Sequence, residues 1–83
     1  MMSSPQWERR RTVWNTARAA PGHNPDAWRH DAFGNLIQFV ACGNRQSAFG
    51  WEIAHIVPPE RGGTDELDNL QPLHWRAIEH PRA

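Results

Sequence analysis

Between residues 51 and 63 the chain reads WEIAHIVPPERGG, and this stretch restricts the fold more than any other. Trp51 to Val57 alternates and then runs apolar, the pattern of a half-buried strand, with a histidine in its middle. Pro58-Pro59 must end that strand, because two prolines cannot keep donating to a ladder. Gly62-Gly63 then gives a flexible turn or a left-handed backbone within a polar loop that runs from Glu60 to Asp68. Asn69-Leu70-Gln71 is a short extended segment, Pro72 permits a new helix, and Leu73 to about His80 supplies it. The second half therefore reads strand, long loop, short strand, helix.

That unit is too small to bury much surface by itself, and the whole chain has only 83 residues, one domain with a thin core. Five tryptophans and three phenylalanines partly compensate, since large rings bury the most area. The first half is expected to be helical over residues 1–33. Ser4-Pro5 can open a helix that carries Trp7 and Trp14 on one face and runs to about Ala20, where Pro21-Gly22 stops it. Asn24 can cap a second, short helix carrying Ala27, Trp28 and Asp31. Leu36 to Val40 is a strand candidate, and Gly43-Asn44-Arg45 is a turn.

With one cysteine, Cys42, the chain has no internal disulfide and no four-cysteine zinc knuckle; Cys42 reads as a small residue in or near the core. No apolar run approaches the ~20 residues of a membrane helix, and no secretory leader is present, so the expected location is cytoplasmic, away from membranes. Net charge is zero, but residues 1–50 hold six arginines against three acids, and residues 51–83 hold three arginines against six acids. Every basic residue is arginine, the side chain best suited to paired phosphate contacts. No G-x-G-x-x-G sequence occurs, so nucleotide cofactors have no support.

Gly50-Trp51-Glu52-Ile53-Ala54-His55-Ile56-Val57-Pro58, Gly62-Gly63-Thr64 and Asp68-Asn69-Leu70-Gln71-Pro72-Leu73-His74-Trp75 together resemble the HNH endonuclease family, most densely over residues 49–78. Trp14-Asn15, Pro25-Asp26, Trp28-Arg29 and Asp31-Ala32 look like the leader of small phage and bacterial members. The resemblance implies a small α+β fold, an HNH-like ββα-metal finger over residues 49–80 behind the N-terminal helical region. It implies phosphodiester hydrolysis with His55 as general base and Asn69 as the residue that orients it. The chemistry fits the residue types, since histidine titrates near neutrality and a hard cation stabilises charge on phosphate and leaving oxygen.

Two departures stand inside the motif. The family's metal-ligating aspartate before the histidine is here Ala54, and the ligand three residues after Trp75 is here Ile78. Neither side chain can ligate, so no cofactor is expected as written, and magnesium, manganese, nickel or zinc only if the chain is active. Substitutes would be Glu52, on the same strand face as Ala54, and Glu79 or His80; His74 is a further candidate to face the cleft. Arg45, Arg61 and Arg76 are candidate nucleic-acid contacts. The expected function is a nucleic-acid-associated HNH-like domain impaired in cleavage. The alternatives are an active DNA endonuclease with recruited ligands, and a small interaction or inhibitor protein with a protein partner.

Overall fold

The computed structural model describes residues 6–80. The Ser4-Pro5 helix start and the packing of Trp7 lie outside what is described. Helix α1, Gln6–Trp14, buries Val13 and Trp14 completely. It stops well short of Ala20, and carbonyls at its end and just beyond it take side-chain donors. The Thr16 hydroxyl donates to the Val13 carbonyl, and one Arg29 nitrogen donates to the carbonyls of Asn15 and Ala17 at 3.2 and 2.8 Å.

The helical reading of residues 1–33 holds only for α1. The segment expected to be a second helix is a strand, β2 (Trp28–His30), between β1 (Arg18–Ala19) and β3 (Leu36–Gln38) in an antiparallel sheet. Asn24 does act as a start signal, but for a turn. Its side chain accepts from the Asp26 amide, and its carbonyl takes the amides of both Ala27 and Trp28. Beyond that turn, pairing with two neighbours outweighs local helix preference.

Strand β4 (Trp51–His55) and strand β5 (Leu70–His74) form an antiparallel hairpin, closed by helix α2 (Trp75–Glu79). This is the expected strand, loop, strand, helix order. Two details shift: β4 ends at His55, short of the expected Val57, and Pro72 lies inside β5 instead of opening the helix. Trp75 donates to the Gly50 carbonyl and Ile56 to the Asn69 carbonyl, which makes Ile53–Pro72 a pair outside the hydrogen-bonded positions. Pro72 needs no amide hydrogen there. The neighbouring outward amide, on His74, donates to the Asp31 carboxylate at 3.0 Å and so ties the finger to the first sheet.

Trp14, Ile37 and Trp51 form the centre of the core, with Phe39, Cys42 and Ile53 packed around it. Trp14 and Trp51 meet at 5.2 Å between ring centroids, and both indole nitrogens donate to carbonyls, of Pro25 and of Gln38 and Phe39. Cys42 takes the apolar role expected of it, and burial pushes its thiol pKa up. Among the described residues no helix is long and apolar enough to cross a membrane.

Candidate functional site

His55 ends β4, paired with Leu70 at the start of β5, where the hairpin opens into its loop. Two glycines let that loop close. Gly62 has φ of +89°, which side chains rarely adopt. Gly63 packs so tightly that a Cβ would stand 1.7 Å from the Val57 carbonyl oxygen. The pair is thus a structural requirement and not merely a flexible turn.

Asn69 locks the same loop. Its Oδ1 accepts from the Val57 amide at 2.8 Å, and its Nδ2 donates to the carbonyls of Val57 at 3.0 Å and Thr64 at 2.7 Å. Both amide hydrogens are therefore committed to backbone, leaving none for the imidazole. The ring of His55 instead meets a residue that sequence reading passed over. His55 Nε2 lies 2.7 Å from Asp65 Oδ1, and this bond holds the Asp65 carboxyl below the usual range. Asp65 follows the Gly-Gly-Thr turn, and its place beside a histidine ten positions earlier depends on how the loop folds back.

The surroundings of Ala54 and Ile78 are differently built. Glu52 sits two residues before Ala54 on the same strand, and Glu79 follows Ile78 on α2. Both carboxylates are engaged by Arg45. Its Nε and Nη2 form a bidentate pair with Glu52 at 2.7 and 3.0 Å, and its Nη1 reaches Glu79. That guanidinium holds the Glu52 carboxyl below its usual range, while the two carboxylates push Arg45 further up. Among the described residues no group of three or more His, Cys, Asp or Glu side chains is arranged to hold a metal ion. The donor set at Ala54 and Ile78 therefore does not fit the divalent cation that the ββα finger implies.

The other candidates separate as well. His74 is buried and fully used: Nδ1 accepts from the Arg76 amide, capping α2, and Nε2 donates to the Ala48 carbonyl at 2.6 Å. His80 is exposed at the end of α2, where its amide donates to the Arg76 carbonyl. Of the proposed nucleic-acid contacts, Arg45 is spent on Glu52 and Glu79, and Arg76 lies over the Trp75 ring at 5.2 Å. Arg61 is exposed in a loop that also carries Glu60, Asp65, Glu66 and Asp68. Away from that loop, a cavity of about 330 Å³ is lined by Arg9 and Arg10 of α1 with Cys42, Gly43, Glu52 and Ile53.

Residues 40–76 match the family model described as HNH endonuclease. A 33-residue stretch is 48% identical to "Probable mobile endonuclease C" of Enterobacteria phage T4, covering 40% of this chain and 16% of that protein. No solved structure gives a significant match. The chain thus spans about a sixth of the curated relative it resembles. With its hairpin, glycine-tightened loop and closing helix, the segment 40–76 carries the similarity to the HNH endonuclease family.

Proposed function

We propose that this chain is a nucleic-acid-associated HNH module that keeps the proton-accepting side of a phosphodiesterase site and has lost its metal side. The family match and the endonuclease name of the phage relative support DNA as the ligand class. The observation that carries the impairment is the fate of the acids. Ala54 and Ile78 offer no donor, and the two carboxylates nearest them in sequence, Glu52 and Glu79, are both paired with Arg45. A proton acceptor alone, without a fixed cation to take up charge on the phosphate, forgoes most of the stabilisation such a site provides.

The test is cleavage by the purified chain of supercoiled, linear and branched DNA with magnesium, manganese, nickel, zinc or EDTA. The expected result is DNA retention without metal-dependent cutting. Cutting that needs metal and disappears in His55→Ala would show instead an active enzyme with recruited ligands.

A second reading has its own observation. The loop beyond β4 exposes Ile56, Val57 and Leu67 among four acids, a surface better suited to protein than to phosphate. Binding at two salt concentrations separates the two. Phosphate contacts weaken steeply with salt, whereas an apolar protein interface weakens little.

A further inference from the structure

We propose that Asp65 is the positioning residue for His55, and that Asn69 and Arg9 act on the histidine only by fixing Asp65. This rests on the reading of His55 as the proton acceptor.

An ionised carboxylate can only accept a hydrogen bond, so at 2.7 Å from Asp65 Oδ1 the His55 Nε2 must carry hydrogen. In the neutral ring Nδ1 then holds the free lone pair. The pair thereby assigns the two nitrogens: Nε2–H is the anchored end, and Nδ1 is the end that takes a proton from water. An aspartate in this arrangement orients the imidazole and stabilises the cation formed when Nδ1 is protonated.

The apparent objection is exposure, because the Asp65 side chain is 84% exposed. A surface pair between free side chains would be weak. Asp65, however, is held by its backbone on both sides. The preceding carbonyl, of Thr64, accepts from Asn69 Nδ2 at 2.7 Å, and its own carbonyl accepts from Arg9 Nη2 at 3.2 Å. The hairpin base, through Asn69, and the first helix, through Arg9, thus converge on the residue that meets the histidine. Gly63, two positions earlier, supplies the tight approach that brings this segment back toward Val57. Asn69 retains an orienting role at one remove: it sets the loop, and the loop sets Asp65.

The experiment is two-bond proton–nitrogen NMR of the full-length, nitrogen-labelled chain, which reports which ring nitrogen carries hydrogen. In the native chain at a pH where His55 is neutral, the ring should show hydrogen on Nε2, a bare Nδ1 and the widest separation of the two nitrogen shifts. Asp65→Ala should narrow that separation and abolish the downfield Nε2–H resonance, with the amide spectrum otherwise intact. Asp65→Asn keeps an oxygen acceptor and should give an intermediate separation, which guards against a trivial folding defect in the alanine variant. Arg9→Ala should narrow it less than Asp65→Ala. An unchanged ring spectrum in Asp65→Ala, or hydrogen on Nδ1 in the native chain, overturns the assignment. Failure of His55 as a base would appear separately, as cleavage in a metal-competent variant that survives His55→Ala.

Discussion

Asp31 illustrates how much one side chain carries in a chain with so little core. It is 5% exposed, and its carboxylate accepts from the amides of Phe33, Asn35 and His74 and from the Asn35 side chain. The three contacts from Phe33 and Asn35 close the β2–β3 turn, while the His74 contact crosses to β5. Replacing Asp31 by alanine leaves these donors in a buried place without an acceptor, at a cost of about 3 kcal/mol. For a domain of this size that lowers the melting temperature by roughly 12–24 °C. Asp31→Asn retains one oxygen but turns an NH2 group toward two other donors, so it should fall between the two. A melt of Asp31→Ala within a few degrees of the native chain would show that water takes over the acceptor role. In sequence this aspartate appeared on an expected helix and within the Asp31-Ala32 leader element, with no contact assigned to it. Its partners lie in a turn and on a distant strand, so nothing in local spacing exposed it.

At the scale of elements, the loop between β4 and β5 depends on two glycines for different reasons, which their alanine variants should separate. Gly62 has open space around its absent Cβ but a positive φ, so Gly62→Ala costs about 1–2 kcal/mol of backbone strain. At Gly63 the added carbon would meet the Val57 carbonyl oxygen at 1.7 Å and the Pro58 oxygen at 2.9 Å, both backbone atoms that cannot swing aside. Gly63→Ala should therefore be the more damaging change, on the order of 3 kcal/mol, and should open the loop. Hydrogen exchange at the Val57 amide, now bonded to Asn69, reads this directly; equal protection in both variants would contradict it. The ββα unit itself was legible because its signals are local: an apolar strand, a double-proline stop, a glycine pair. The first half was less legible. Trp28 has a capping asparagine and helix-compatible neighbours upstream, yet it becomes a strand because β1 and β3 flank it. Asp65 was missed for the same kind of reason, since its contact with His55 exists only once Asn69 has closed the loop.

At the scale of the whole molecule, the loop and α1 meet at the His55–Asp65 pair, while Arg45 links β4 to α2 through Glu52 and Glu79. If the proposed impairment stems from missing ligands, Ala54→Asp with Ile78→Asn should restore divalent-ion binding and cutting. Asp supplies an ionised oxygen and Asn a carbonyl oxygen, both suited to a hard cation. Neither single change should suffice, because ligands to one ion act as a unit. Arg45 adds a condition that the sequence did not reveal. An aspartate at position 54 shares its strand face with Glu52, so the guanidinium that now bridges Glu52 and Glu79 competes with the incoming ion. Adding Arg45→Gln to the double variant removes that competitor and frees two carboxylates, so manganese affinity should rise in the order native, double, triple. Titration calorimetry with manganese measures the order, and DNA cleavage with manganese or EDTA measures its consequence. Manganese binding by the native chain would mean that Arg45 yields its carboxylates readily. Tight binding without cutting in the triple variant would place the defect beyond the metal and favour the protein-binding reading of the exposed loop.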